Sequence, residues 1–256
     1  MGTRDTAWPA GTPCWVDCGF EHVDKARKFY GHLFGWDMEP GPAETGGYTM
    51  CLKNGRPAAA ISESQDEDVP TFWATYLATD DVDATTTAVR EAGGQVVVET
   101  LDIPGSGRMA IYQDPTGAQF SVWQADGHTG MQIYHEPGTV AWNDLMTRDL
   151  PTAMDFYAKV FGYTYEDAGD GYQVVKLGDG TTVAGMHQAE HLPDDAPSTW
   201  LVHFAVADRD STVSLAEMED NIDVLLTFDT PFGPEATLRG PEGEIFNVIS
   251  SNDDDN

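Results

Sequence analysis

Apolar residues first gather at helical spacing between residues 23 and 34, where Phe29, Tyr30, Leu33 and Phe34 share one face and Gly35 supplies a stop. Before this helix, residues 14–19 read as a short strand. After it, two-residue alternation over 47–52 and 57–61 predicts strands, and Asn54-Gly55 between them is a hairpin signal. The pattern then restarts with a strand over 73–78 and a helix over 82–92 that Gly93-Gly94 closes. Strands over 95–98, 108–113 and 119–124 follow. Each half of this stretch is a strand, a helix, then two or three strands.

The whole pattern occurs twice. Trp15-Val16-Asp17 returns as Trp142-Asn143-Asp144, an offset of 127 residues. The same offset carries Phe29-Tyr30 to Phe156-Tyr157, Phe34-Gly35 to Phe161-Gly162, Trp73 to Trp200, and Asp81 to Asp208. One deletion later, Pro115, Gly117 and Phe120 match Pro241, Gly243 and Phe246. The expected organisation is a first domain over 1–124, a linker over 125–138 and a second domain over 139–256 ending in an acidic tail. Helices in the second copy are expected over 150–161 and 208–218.

Charge narrows the partners. Thirteen Lys+Arg face 43 Asp+Glu, a formal net charge of −30, without a basic cluster. Such a surface repels phosphate backbones and anionic bilayers, so neither nucleic acid nor a membrane is an expected partner. Acidic residues spread along the chain suit a halophilic protein in a salty cytoplasm, and self-repulsion is expected to destabilise it at low salt. No apolar run reaches a membrane span, and the first residues carry no apolar stretch of the signal-peptide kind. The three cysteines, Cys14, Cys18 and Cys51, make no disulfide framework, and cytoplasmic localisation is expected.

The helix ends Phe29-Tyr30…Leu33-Phe34-Gly35-Trp36 and Phe156-Tyr157…Val160-Phe161-Gly162-Tyr163 carry a family resemblance. So do the turns Asp114-Pro115-Thr116-Gly117 and Gly240-Pro241-Glu242-Gly243, with Thr79-Asp80-Asp81-Val82-Asp83. Together they make the chain similar to the vicinal oxygen chelate superfamily of glyoxalases, bleomycin-resistance proteins and extradiol dioxygenases. The resemblance implies an α+β fold: a tandem duplication of paired β-α-β-β-β modules forming two curved-sheet cups with helices outside. Opening each copy with Trp-x-Asp resembles a bacterial group of glyoxalase-like or hydroxylase-type proteins. Metal-using members take ligands from three strands of a cup. Counting from the shared motifs places Trp15, Ala74 and Ser121 at those positions in the first cup, and Trp142, Leu201 and Asn247 in the second. None is a histidine, carboxylate or thiol, so no metal and no other cofactor is expected.

Strand period two puts Trp15, Asp17, Tyr76, Ser121 and Trp123 inside the first cup, and Trp142, Asp144, His203 and Asn247 inside the second. Aromatic walls with few polar groups suit a small, partly aromatic ligand. His203, Asp144, Asp17 and Tyr76 are the candidate catalytic groups, with a His203–Asp144 dyad placed to abstract a proton beside a carbonyl or from a phenol. Trp15, Trp142, Ser121, Trp123 and Asn247 are the candidate binding residues. The two aspartates equally suit a structural role, capping backbone or bonding across the pseudo-twofold. A metabolite-sequestering module and a metal-dependent lyase or dioxygenase are the alternatives, with side chains filling both cups as a third. His187-Gln188-Ala189-Glu190-His191 reads as an inverted zincin motif, but it follows a strand and runs into Leu192-Pro193, so a surface loop is expected. The remaining histidines fall on helix caps, helix surface or linker. The loops at 104–108 and 231–234 read as rims over the cavities. The chain is expected as a monomer or homodimer.

Overall fold

The structure is a computed structural model that describes residues 2–41, 47–64, 69–189, 197–219 and 222–251. A two-residue strand β1 (Gly2–Thr3) precedes the first copy: β2 (Pro13–Phe20), α1 (Val23–Phe34), β3 (Asp37–Pro40), β4 (Thr49–Lys53) and β5 (Arg56–Glu63). The second module of that copy is β6 (Ala74–Ala78), α2 (Val82–Glu91), β7 (Gln95–Ile103), β8 (Gly107–Gln113) and β9 (Gln119–Ala125). After β10 (Ile133–Tyr134), the second copy repeats the order. It comprises β11 (Val140–Thr147), α3 (Leu150–Phe161), β12 (Thr164–Gly169), β13 (Tyr172–Lys176) and β14 (Thr182–Gln188), then β15 (Thr199–Ala205), α4 (Arg209–Ala216), β16 (Asp223–Thr230), β17 (Gly233–Arg239) and β18 (Ile245–Ile249).

Each copy forms one eight-stranded mixed sheet, ordered β3-β4-β5-β2-β6-β9-β8-β7 and β12-β13-β14-β11-β15-β18-β17-β16. The sheets are therefore the same topology written twice, a tandem α+β fold of curved sheets. Asn54 and Gly55, at φ of 52° and 72°, make the tight β4–β5 hairpin that their sequence announces. Within the 104–108 and 231–234 segments, residues 104–106 and 231–232 are the turns of the β7–β8 and β16–β17 hairpins, and the rest open β8 and β17. The repeated aspartates Asp81 and Asp208 are helix caps: Asp81 accepts from Asp83 N and Ala84 N at 3.0 Å, and Asp208 from Ser211 N at 2.7 Å.

Helices α1 and α3 cover the convex faces and lie between the two sheets. Phe34 of α1 stacks 4.6 Å from Phe204 of β15, and Tyr30 lies 5.6 Å from Phe246 of β18. Across the pseudo-twofold, Phe156 and Tyr157 of α3 lie 6.0 and 5.4 Å from Phe120 of β9. Each helix is thus buried against strands of both copies, and each fully buried aromatic contributes about 1.5–3 kcal/mol of hydrophobic stabilisation. The polar ends of these rings are also paired. Tyr30 Oη donates to Glu244 Oε1 at 2.7 Å and accepts from Trp73 Nε1 at 3.1 Å. Tyr157 Oη accepts from Trp200 Nε1 at 2.8 Å. Glu242 reaches from the second copy to accept from Glu21 N and His22 N at 2.7 and 2.6 Å, capping an α1 start that has no local side-chain cap.

The stretch read as a linker is bound to the first copy. β10 pairs with β1, Met131 N donates to Cys14 O at 2.7 Å, and Gln132 N to Pro57 O at 2.8 Å. His128 lies in the connecting segment, as expected, and is half-buried there with its ring 4.4 Å from that of Trp15. Among the described residues no helix is long and apolar enough to cross a membrane. All three cysteines are buried free thiols. Of the His187–His191 motif, residues 190 and 191 lie outside the described residues, while His187 belongs to β14.

Candidate functional site in two unequal cups

Strand alternation divides each sheet into a core face and a cup face. In β15, Val202 and Phe204 join the helix-covered core while His203 turns inward. In β6, Leu77 belongs to the core and Tyr76 turns to the cup. Register then sets the inner residues in rows. Trp15, Tyr76 and Ser121 are level across β2, β6 and β9, as are Trp142, His203 and Asn247 across β11, β15 and β18.

Both cups share one hydrogen-bonded motif. In the first, Trp15 Nε1 donates to Tyr48 Oη at 2.8 Å, and Tyr48 Oη donates to Asp17 Oδ2 at 2.9 Å. In the second, Trp142 Nε1 lies 2.9 Å from Tyr172 Oη, and both donate to Asp144 Oδ1, at 3.0 and 2.8 Å. Gly185 opposite Asp144 makes room for this: a Cβ there would fall 2.0 Å from both Asp144 Oδ1 and Tyr172 Oη. The sequence reading missed Tyr48 and Tyr172. Their signal was the pair Gly47-Tyr48 and Gly171-Tyr172, displaced by 124 residues rather than 127 because the loops differ in length.

Beyond this motif the cups diverge. Tyr76 donates to Asp17 Oδ2 at 3.0 Å. Burial pushes Asp17 up to about 6, against the opposing pull of its two phenol hydrogen bonds. Asp17, Tyr76 and Ser121 line a cleft of about 400 Å3, together with Phe72, Ala74, Val98 and Ile111. That volume falls in the range of small-molecule sites. Trp15 and Trp123 are not among its lining residues. They pack around His128 instead: its ring lies 4.4 Å from Trp15 and 5.7 Å from Trp123, and Trp123 Nε1 donates to His128 O at 2.8 Å. Desolvation lowers His128 to about 4, so the ring is neutral near pH 7.

In the second cup the place of Tyr76 is taken by His203. Its Nε2 lies 3.1 Å from Asp144 Oδ2 and its Nδ1 3.2 Å from Glu235 Oε2. The predicted His203–Asp144 pair is therefore present, with a third member, Glu235, that sequence reasoning missed. Asn247 Nδ2 adds a 3.3 Å contact to Glu235 Oε2. Burial alone would lower the imidazole, but hydrogen bonds and charge from Asp144 and Glu235 outweigh it and push His203 up to about 9. At neutral pH the ring is an imidazolium clamped between two carboxylates. It can donate a proton or stabilise negative charge, but it has no lone pair with which to act as a base.

The donor set does not fit the family's metal. One ion reaches only one nitrogen of an imidazole, and the two carboxylates here address opposite nitrogens. Among the described residues no group of three His, Cys, Asp or Glu side chains is arranged to hold a metal ion. Register sets Tyr76 and His203, not the expected Ala74 and Leu201, level with Trp15–Ser121 and Trp142–Asn247, because Ala74 and Leu201 lie opposite Asp17 and Asp144; the corrected rows offer a single imidazole between them.

The family model described as "Glyoxalase/Bleomycin resistance protein/Dioxygenase superfamily" matches residues 17–122 and 133–245. The "Putative glyoxylase CFP32" of Mycobacterium tuberculosis (strain CDC 1551 / Oshkosh) is 39% identical over 249 residues, 93% of this chain and 94% of that protein. The "Anthracycline biosynthesis protein DnrV" of Streptomyces peucetius is 36% identical over 266 residues, 95% and 94% of the two chains. Among solved structures, the Mn(II)-bound glyoxalase from Novosphingobium aromaticivorans aligns with a TM-score of 0.64 at 17% identity, covering 94% of this chain and 82% of that one. The 2,3-dioxygenase LapB from Pseudomonas sp. KL28 aligns with a TM-score of 0.64 at 11% identity, covering 96% and 93%. At such identities the structures speak to the fold, and the family model and the relatives speak to descent. The chain belongs to the Glyoxalase/Bleomycin resistance protein/Dioxygenase superfamily.

Proposed function

We propose that the first cup binds a small, partly aromatic organic molecule, with Asp17 meeting the ligand's inner polar end. The observation that carries this reading is the position of Asp17. It is a carboxylate with a pKa raised to about 6, at the lining of a 400 Å3 cleft, braced by two phenols. Holding a half-buried carboxylate with no cation beside it costs stability. A ligand that donates to it recovers that cost. Phe72, Val98 and Ile111 supply the apolar walls against which a ring can lie.

The same group supports metal-independent acid–base chemistry, since a carboxyl near pH 6 can take a proton from, or return one to, an acidic position of a bound phenol or carbonyl compound. Tyr48 and Tyr76 hold the carboxylate in place for that transfer. The similarity to an anthracycline biosynthesis protein makes a polycyclic hydroxyquinone a sensible first probe. Titration calorimetry with a hydroxyanthraquinone tests the reading. Ser121→Trp, which fills the first cleft, is expected to abolish binding, and Leu201→Trp in the second cup to leave it intact. The reverse pattern overturns the assignment to the first cup.

A further inference from the structure

The duplication contains its own guide to what Asp17 receives. Asp17 and Asp144 occupy equivalent places, each bonded by a tyrosine from the next strand but one and flanked by the tryptophan two residues earlier. In the second cup the chain provides a cation for that aspartate: His203 Nε2, 3.1 Å from Asp144 Oδ2. In the first cup the residue at the same register is Tyr76, a neutral donor. The groups around Asp17 are Tyr48 from β4, Tyr76 from β6, Cys18 on its own strand and Glu63 at the end of β5. None carries positive charge. His128, on the far side of Trp15, is neutral. Among the described residues that line the cleft there is no lysine, arginine or histidine.

We propose that the first cup selects a cationic ligand, a ring-bearing amine whose ammonium group takes against Asp17 the place that the His203 imidazolium takes against Asp144. This rests on the reading of the first cup as a ligand site and specifies its substrate class. Three features agree. The carboxylate lacks a cation that its duplicate possesses. The aromatic rings that line the cleft, Phe72 and Tyr76, favour positive over negative charge. Glu63 at the cleft and the formal net charge of −30 attract a cation and repel carboxylates and phosphates. Anionic conjugates are refused, because no lining group neutralises a second negative charge beside Asp17.

The test is a matched series sharing one two-ring body: naphthylethylamine, naphthylethanol and naphthylacetate, titrated by calorimetry into the intact chain at constant ionic strength. The amine is expected to bind at least ten-fold more tightly than the alcohol, and the acetate not measurably. Asp17→Asn is expected to bring the amine down to the affinity of the alcohol. That substitution alters only one charge of the −30, so loss of preference cannot come from the overall field. Tyr76→His, which copies the second cup, is expected to do the same by filling the position internally, and it keeps the test decisive if Asp17→Asn fails to fold. Equal binding of amine and alcohol overturns the charge selection while leaving the cleft as a ligand site. An amine preference that survives both variants overturns the role of Asp17. Failure of all three compounds to bind overturns the cleft reading, and this inference with it.

Discussion

The Tyr76 hydroxyl lies 3.0 Å from Asp17 Oδ2 and donates to it, at the place where the second copy sets His203 3.1 Å from Asp144. Tyr76 against His203, with Met109 against Glu235 and Ser121 against Asn247, separates the two cups of a duplicated framework. The first keeps a carboxylate with no cation beside open space, and the second sets one imidazolium between its two carboxylates. The four consequences that follow are measurable without knowing the natural ligand.

Asp17→Asn should not destabilise the protein at neutral pH. A carboxyl whose folded pKa is raised contributes stability below its unfolded value near 4, and that contribution is lost as pH rises through about 6. Above pH 6 the wild type carries a half-buried charge that the amide avoids, and the amide oxygen can still accept from Tyr48 and Tyr76. Chemical denaturation should show the variant at least as stable as wild type at pH 7.5 and no better at pH 4. Marked destabilisation at pH 7.5 would mark Asp17 as a structural anchor.

His203 behaves in the opposite functional sense with the same sign. Its folded pKa is raised to about 9, so its contribution is complete below its ordinary value near 6.5 and is lost as pH rises through 9. The span corresponds to on the order of 3 kcal/mol. His203→Gln leaves Asp144 and Glu235 buried without their cation and should cost about 3–5 kcal/mol at pH 7. Denaturation midpoints across pH 6 to 10 check both statements, and a flat wild-type profile would contradict them.

Tyr30→Phe should loosen the two copies together. The hydroxyl serves Glu244 Oε1 and Trp73 Nε1, both buried, and each partner left unpaired costs about 1–3 kcal/mol. Tyr157→Phe, which strands Trp200 Nε1 alone, is the counterpart in the other helix and should cost about half as much. The loss should appear in a single cooperative transition, because α1 and α3 are each packed against strands of both sheets.

Salt should raise the melting temperature steeply. Thirty excess negative charges repel one another, and the Debye length falls from about 10 Å at 0.1 M salt to about 3 Å at 1 M. Thermal melts over that range should climb throughout. A plateau by 0.1 M would show that the acidic surface carries little net repulsion.

Much of the architecture was legible in the chain because the duplication doubled every signal. The 127-residue offset paired the helix ends, the capping aspartates Asp81 and Asp208, and the inward rows containing Tyr76 and His203. Less legible were contacts that cross strands of unequal spacing. Tyr48 and Tyr172 reach Asp17 and Asp144 from a strand whose preceding loops differ in length. Glu235 was hidden because its counterpart, Met109, is apolar and offered no echo. The contact of His128 with Trp15 was not legible, because short-range pattern cannot show that a connecting segment folds back onto the sheet. Which inward residues meet open space and which meet one another is a property of side-chain packing, and the period of a strand does not contain it.

The most direct test is the carboxyl carbon resonance of Asp17, followed by NMR through a pH titration with and without a saturating ring-bearing amine. In the free protein the resonance should titrate near 6, and ligand should move it while leaving the Asp144 carboxyl in place. An Asp17 carboxyl that titrates at about 4, the ordinary aspartate value, and ignores every added ligand would contradict the first cup as the functional site.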